Sequence, residues 1–211
     1  MLHLGDVSAD PLGLLGSVGR QLTGDCRVLT FKVGGSTPAR QRSGELGAAL
    51  ALLADPSVVS IAGLSGGVAG PAAVLALGCD LAVWSEQATL SVPEPAQGGL
   101  PAAGLLDALA TAVGRPRTMA LLVGACTLTA AEARHAGLAT AVVPGDTLHA
   151  ELRRLTARVL SCPRDPLAEA KAIVLGHRPP PALDGEQAAA GRLQRATSTA
   201  ERIRSLGLEL S

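Results

Sequence analysis

Runs of apolar residues alternate along the chain with glycine-rich turns and amphipathic segments, and this alternation predicts its secondary structure. Continuous β-branched or apolar runs predict strands at Cys26–Val33, Val58–Leu64, Asp80–Trp84 and Ala88–Val92. Apolar residues at helical spacing predict helices at Leu12–Leu22, Glu45–Leu53, Pro71–Gly78, Ala103–Val113, Arg117–Val123, Ala130–Ala136 and Thr147–Leu160. Polar or glycine-rich composition predicts loops at Gly34–Ser43 and Ser65–Gly70.

The order of these elements indicates the fold class. Between Val58 and Trp84 a strand, a glycine-rich turn, a buried helix and a second strand follow one another. Because such alternation is typical of parallel strands joined by helices, it predicts an α/β fold. We expect a core domain at 1–145 and a C-terminal helical region at 146–211, where a triple-proline spacer at Pro179–Pro181 precedes an amphipathic segment, Asp184–Leu206.

Composition excludes several classes of function. Apolar residues make up 47% of the 211 positions, which is enough to bury a full core. Eighteen basic residues balance eighteen acidic ones, so the chain lacks the basic surface that binds phosphate backbones, and we expect no nucleic-acid partner. Phe31 and Trp84 are the only aromatic residues, which removes base-stacking platforms and aromatic cages.

The cysteines and the apolar runs bear on metals, membranes and compartment. The four cysteines are widely spaced, with no CxxC pair and no histidine at ligand spacing, so we expect reduced thiols and no metal site. No apolar run reaches membrane length without Gly, Ser or charge, and the first residues lack a signal-peptide pattern. We therefore expect a cytoplasmic protein without a membrane partner.

The stretch from Ser60 to Glu94 is the strongest candidate for chemistry. A strand leads through glycines into the N-terminus of an apolar helix that begins at Pro71. The first amides of a helix have no internal partner and carry partial positive charge, so such a tip can bind an anion or stabilise an oxyanion. The alternative is that the glycines only permit a tight turn and close packing.

Landmarks of this stretch and its continuation resemble the crotonase (enoyl-CoA hydratase/isomerase) family. The resemblance runs without gaps from Ser60 to Pro144. It is carried by Ile61-Ala62, Gly66, Gly70, Leu77–Leu81, Ala88–Leu90, Pro93-Glu94, Gly98, Pro101–Gly104, Val113–Pro116, Leu128–Ala133, Gly137-Leu138 and Val142–Pro144. The termini of the chain fit the family more loosely.

The resemblance implies a fold, a substrate class and an assembly. The fold is a crotonase-like spiral of ββα turns with a C-terminal helical region of the trimerisation type, assembled as a homotrimer or hexamer. The substrate is an acyl thioester of coenzyme A or of an acyl-carrier protein. No cofactor is tightly bound, because coenzyme A enters as part of the substrate. In this family two backbone N–H groups polarise the thioester carbonyl, and acidic side chains move protons at the neighbouring carbons.

The family's two catalytic acids are matched unevenly. The second acid corresponds to Glu94, whereas the first corresponds to Val74, which cannot move a proton. Retention of the second acid alone resembles the enoyl-CoA isomerase branch, in which one carboxylate shuttles a proton. Since addition of water normally uses both acids, isomerase chemistry is favoured over hydratase chemistry.

The oxyanion hole departs further from the family pattern. The family's glycine-rich helix start corresponds to Gly70-Pro71-Ala72, and the donor position falls on Pro71, which has no N–H. Proline is nevertheless a favoured first residue of a helix. We expect the amide of Ala72, or that of Ala73, to substitute as donor if the start of the helix shifts slightly, with Ala72 as the assigned residue. The turn from Gly66 to Gly70 is expected to line the pantetheine arm.

The second oxyanion donor is expected in the loop after Val33. Thr37 is one residue there that can supply an amide, although the sequence does not single it out. Arg40, in the same loop, can meet a phosphate of coenzyme A, or it is simply solvated.

Two functions therefore stay open. The first is a crotonase-type acyl-thioester enzyme in which Glu94 shuttles a proton. The second is a catalytically degenerate member that supports a partner enzyme in a polyketide or phenylglycine-type biosynthetic pathway. Pro71 and Val74 are the residues that distinguish the two, because both remove a group that catalysis uses.

Overall fold

The structure, a computed structural model, describes residues 2–6, 26–36, 43–101 and 105–176. Its strands are β1 (Leu2–Asp6), β2 (Val28–Ser36), β3 (Val59–Ala69), β4 (Leu81–Ser85), β5 (Thr89–Leu90), β6 (Leu128–Thr129) and β7 (Ala141–Val143). Its helices are α1 (Ser43–Leu53), α2 (Pro71–Leu77), α3 (Leu105–Leu122), α4 (Ala130–His135), α5 (Leu148–Ser161) and α6 (Arg164–Val174). A short 3-10 turn covers Pro95–Gln97.

The strands of the described residues form one mostly parallel sheet. Its main path has the order β1-β2-β3-β4-β7, and every neighbouring pair on that path is parallel. Strand β5 pairs in parallel with β3, and the short β6 pairs antiparallel with β5. The predicted α/β class with parallel pairing is confirmed.

Strand β3 is the longest of the described strands and has different neighbours along its length. Its first half, Ile61–Leu64, pairs with β4, whereas Gly67 and Val68 pair with β5. On the opposite side β3 pairs with β2 throughout, with a shift in register between the pairs Val33–Leu64 and Gly35–Val68. The segment Ser65–Gly70, predicted as a loop, is therefore strand as far as Ala69, because partners on both sides hold it.

The main apolar cluster lies on the face of this sheet that α1 and α2 cover, whereas α5 packs on the opposite face. Phe31, Leu64 and Trp84, from three adjacent strands, are fully buried there. Helix α2 has its residues from Pro71 to Ala76 buried, so it is enclosed rather than amphipathic. Its small alanine side chains allow the helix to pack closely beside the sheet.

Helix α3 contains a break near its middle. Gly114 has φ 76° and ψ 161°, which are non-helical values, and Pro116 follows two residues later. Since glycine alone reaches this conformation without strain, Gly114 and Pro116 together separate two helical halves. The two helices predicted at Ala103–Val113 and Arg117–Val123 correspond to these halves, and of residues 102–104 the structure describes nothing.

Most other predicted elements agree with the structure to within a few residues. The predicted pattern did not anticipate β1, β6, β7 or α6. The predicted helix Leu12–Leu22, the proline spacer and the segment Asp184–Leu206 lie outside the described residues.

The chain divides into two compact units, Met1–Val159 and Leu160–Ser211. In the first unit, Leu148 and Leu152 of α5 are buried. In the second, α6 begins directly after Pro163 and is followed by Gly176 in the left-handed region with φ 68°. The expected boundary between 145 and 146 stays a prediction. No helix in the described parts of the chain is both long and apolar enough to cross a membrane.

Candidate functional site

The junction between β3 and α2 is built by a glycine and a proline. Gly70, directly after the strand, has φ 63° and ψ −144°, a conformation that residues with a Cβ rarely adopt. Pro71 then begins the helix, where its fixed φ suits the first turn and its missing N–H breaks no helical hydrogen bond. The sequence Gly70-Pro71 therefore turns the chain sharply and starts the helix at once.

The first turn of α2 has few amides left to offer. The N–H groups of Ala73 and Val74 both donate to the Gly70 carbonyl oxygen, at 3.0 and 3.2 Å. Pro71 has no N–H to donate. Among the described residues no backbone carbonyl accepts a hydrogen bond from the amide of Ala72. This amide is therefore the one in the first turn that can donate to a ligand. The expected replacement donor at Ala72 remains a prediction with this support.

Glu94 is a buried acid on the connection that follows β5. Its residue is only 6% exposed, and its Oε2 atom has no hydrogen-bond partner within the part of the chain that the structure describes. A buried carboxylate oxygen without a partner is costly, so such atoms in folded proteins call for an explanation in function or bound water. The proton-transferring role expected for Glu94 remains a prediction, which its burial and its unpartnered oxygen support.

A tight turn fixes the backbone of Glu94. Its carbonyl oxygen accepts hydrogen bonds from the amides of Gln97 at 3.0 Å and Gly99 at 2.8 Å. Gly98, with φ 74°, closes the turn in the left-handed region. Sequence reasoning identified Glu94 but missed this support, although the glycine pair that follows Pro93-Glu94-Pro95 is typical of a closed turn.

Strand pairing brings the ends of β2 and β5 to the same end of β3. On one side Ser36, the last residue of β2, pairs with Ala69. On the other side Val68 pairs with Leu90, and its carbonyl accepts from the amide of Ser91 at 3.0 Å. The tip of α2 follows directly from the end of β3 beside which β2 and β5 also end.

Of the remaining predicted site residues, the structure describes Val74 and Gly66 but not Thr37 and Arg40. Val74, in the first turn of α2, is 4% exposed and part of the core, so this position carries no proton-transferring group. Gly66 is exposed on β3 with φ 67°. Thr37 and Arg40 lie outside the described residues, so their assignment stays a prediction. Among the residues described, no three His, Cys, Asp or Glu side chains cluster as metal ligands.

Comparison with protein families gives one match over most of the chain. The model of the family described as enoyl-CoA hydratase/isomerase matches residues 32–208. A probable enoyl-CoA hydratase of Mycobacterium tuberculosis is 35% identical over 112 residues, which is 53% of this chain and 42% of the relative. A probable mitochondrial enoyl-CoA hydratase of Dictyostelium discoideum is 33% identical over 114 residues, 54% of this chain and 41% of the relative. The chain thus matches about two fifths of the length of these relatives.

Solved structures resemble the fold over nearly the whole chain. A putative enoyl-CoA hydratase of Thermobifida fusca, solved in complex with acetoacetyl-CoA, is 25% identical with a TM-score of 0.69 and covers 93% of this chain and 85% of its own. The Pseudomonas aeruginosa protein DspI is 25% identical with a TM-score of 0.79 and covers 94% of this chain and 84% of its own. The crotonase-like fold expected from the sequence is confirmed.

Proposed function

Because the chain belongs to the enoyl-CoA hydratase/isomerase family, we propose that it acts on an enoyl thioester of coenzyme A and moves a proton along the acyl chain. The observation that carries this proposal is Glu94, which is buried and has a carboxylate oxygen without a partner in the described structure. Strand β5, which precedes this acid, ends beside the end of β3 from which α2 follows, and this supports the proposal.

The proposed reaction is the isomerisation of a 3-enoyl thioester to a 2-enoyl thioester. The Glu94 carboxylate removes a proton from carbon two, and the electron pair spreads over the double bond and the thioester carbonyl as a dienolate. The Glu94 carboxylic acid then returns the proton to carbon four, so the double bond moves and the enzyme regains its charge. No other reactant is consumed.

Hydration is disfavoured by the residue at position 74. Addition of water across the double bond uses one group to activate water and a second to deliver a proton. Val74 is apolar and enclosed in the core, so of the two family positions only that of Glu94 carries an acid. A single acid suits a proton shuttle, in which one group is base and then acid.

The carbonyl oxygen of the thioester is expected to bind at the tip of α2. The amide of Ala72 is the proposed first donor, since the amides of Ala73 and Val74 are occupied by the Gly70 carbonyl. The second donor is proposed to come from the segment that includes Thr37, where Arg40 meets a phosphate of coenzyme A. Losing one such donor typically costs an enzyme roughly 3 kcal/mol of transition-state stabilisation.

The test is an isomerase assay with a short-chain 3-enoyl-CoA as substrate. The reaction is monitored through the absorbance of the 2-enoyl product. Wild type is expected to be active, and Glu94→Gln to lose at least about 100-fold in kcat, which is the usual contribution of a positioned acid–base group. Glu86→Gln is the matched control, because Glu86 is an exposed acid on the nearby turn between β4 and β5. Equal activity of Glu94→Gln and wild type overturns the proposal.

Pro71 favours a second candidate function, that of a non-catalytic accessory protein. The missing N–H at this position removes a donor that the family uses, and the chain would then hold an acyl thioester of coenzyme A or of a carrier protein for a partner enzyme. This function predicts thioester binding by calorimetry together with no turnover in either the isomerase or the hydratase assay.

A further inference from the structure

A cleft of about 520 Å³ lies between helices α3 and α4, apart from the proposed catalytic residues. Its lining is mostly apolar and consists of Ala112, Val113, Arg117, Leu128, Ala131, Glu132, His135 and Ala136. A volume of this size with an apolar wall and a few polar groups is typical of sites for small organic ligands. The cleft lies wholly within the unit Met1–Val159.

The polar edge of the cleft is held in place by a hydrogen-bond network. Arg117 donates through Nη2 to the Thr127 carbonyl at 3.1 Å and to Oε1 of Glu132. The other oxygen of Glu132, Oε2, accepts from the amide and the hydroxyl of Thr129, at 2.9 and 2.8 Å. The guanidinium is thus oriented before any ligand arrives, which reduces the entropy lost on binding.

The unused hydrogen-bonding capacity of this edge consists of donors. Both contacts of Arg117 use Nη2, so its Nε and Nη1 groups keep their hydrogens free within the described structure. The exposed His135, one turn after Glu132, adds an imidazole N–H. Because both oxygens of Glu132 are engaged, the complementary ligand is one that brings acceptors.

The nearby charge of Glu132 decides which anion fits. Its pKa is held below its ordinary value by the hydrogen bonds from Thr129 and by Arg117, so it is ionised at neutral pH. A phosphate dianion would face this negative charge directly. A carboxylate carries a single charge and matches the planar fork of an arginine.

We propose that the cleft binds an aliphatic monocarboxylate, with its carboxylate on Arg117 and His135 and its chain along Val113 and the neighbouring alanine side chains. The alanine methyl groups at 112, 131 and 136 complete the apolar wall without filling the space. This site is separate from Glu94 and does not depend on the proposed function.

The test measures octanoate binding to the full chain by titration calorimetry. Wild type is expected to bind octanoate, and Arg117→Gln to weaken the affinity by about tenfold or more, as loss of a charge-assisted pair does. Arg154→Gln is the matched control, because Arg154 also pairs with a glutamate, Glu151, but lies outside the cleft. This control is expected to keep the wild-type affinity.

A second variant keeps the test decisive if Arg117→Gln does not fold. Ala131→Phe places a ring in the cleft from an exposed position and leaves the network of Arg117 and Glu132 intact. It is expected to abolish octanoate binding. Undetectable binding to wild type up to about 10 mM, unchanged affinity in Ala131→Phe, or octanol binding as tightly as octanoate overturns the proposal.

Discussion

The hydroxyls of Thr30 and Thr156 lie 2.9 Å apart in the interior and join strand β2 to helix α5. The hydroxyl of Thr156 also lies 2.9 Å from the carbonyl of Leu152, to which it can only donate. Its one hydrogen is thus used, so Thr30 is the donor in the bond between the two threonines. Both residues are buried, and the pair fixes the helix on the sheet.

Because Thr30 donates and Thr156 accepts, replacing either threonine by valine is expected to lower the free energy of unfolding by a different amount. Thr156→Val leaves the buried hydroxyl of Thr30 without an acceptor, which costs about 1–3 kcal/mol in free energy of unfolding. Thr30→Val leaves Thr156 bonded to Leu152, so it costs about 1 kcal/mol or less. Urea unfolding followed by the fluorescence of Trp84, the sole tryptophan in a chain without tyrosine, measures both values. Equal losses contradict the assigned direction.

A second prediction concerns two glycines in different surroundings. A Cβ on Gly34 would lie 2.8 Å from the backbone oxygen of Ser65, which cannot move aside, so Gly34→Ala is expected to lose about 1–3 kcal/mol. Gly47, within α1, has no atom within 4 Å of the same position, and Gly47→Ala is expected to gain up to about 1 kcal/mol from helix propensity. Thermal unfolding compares the two variants with wild type. If Gly34→Ala is as stable as wild type, β2 and β3 can move apart at Gly34 and Ser65 with little loss of stability.

How far the sequence predicts the fold depends on whether a feature is local. The sequence predicts helix α2 at Pro71–Gly78, and the structure has it at Pro71–Leu77. The agreement is close because Gly70 and Pro71 mark its start and Gly78 marks its end. The bond between Thr30 and Thr156 joins residues 126 positions apart, and no local pattern indicates it. The glycines of Ser65–Gly70 favour a turn, but pairing of β3 with β2 and β5 overrides that preference.

The candidate site shows the same limit. Glu94 and Pro71 were singled out because they occupy motif positions, and the structure adds what the motif does not contain. The turn closed by Gly98 and Gly99 fixes the backbone of Glu94, and the Gly70 carbonyl accepts from Ala73 but not from Ala72. The spacing from Thr129 to Glu132 is that of a capping box, so the sequence alone could have indicated the start of α4. The cleft beside Arg117 could not be found in this way, because it depends on how α3 and α4 pack.

A third prediction restores the missing amide. Pro71→Ala supplies an N–H at the start of α2 and keeps a residue suited to a helix. If Glu94 shuttles a proton there, the added donor is expected to raise kcat by up to about 100-fold. Pro56→Ala, which removes a proline from the turn before β3, is the control for effects of proline loss on the unfolded chain. An unchanged kcat in Pro71→Ala means that the thioester oxygen does not bind at this position.

A fourth prediction concerns the start of helix α4. Thr129 accepts at its hydroxyl oxygen from the Glu132 amide at 3.3 Å, while the Glu132 side chain accepts from the Thr129 amide, which completes a capping box. Thr129→Ala is expected to cost about 1 kcal/mol, or roughly 2–4 °C in Tm for a chain of this size. Thr127→Ala is the control, because Arg117 contacts only the backbone of Thr127. Calorimetry of both variants gives the difference.

The last prediction follows from the charge of Glu132. Hydrogen bonds from the amide and hydroxyl of Thr129, with the contact of Arg117, hold the pKa of this carboxyl below its ordinary 4.5. The unfolded chain therefore binds a proton at a higher pH than the folded chain does. Linkage then requires that the stabilisation is complete above about pH 4.5 and is lost as the pH falls through the folded value.

Glu132→Gln removes this titration. Its free energy of unfolding is expected to lie below that of wild type near pH 7, and the gap is expected to narrow as the pH falls below about 4.5. Urea unfolding at a series of pH values measures that gap. Glu151→Gln is a useful comparison: the pKa of Glu151 is lowered by Arg154, but this pair joins two side chains one turn apart on one helix and satisfies no backbone amide. Such a pair contributes little to stability, so its gap is expected to be smaller at every pH. A gap for Glu132→Gln that stays constant with pH would mean that the cap depends on shape and hydrogen bonding alone, which glutamine also provides.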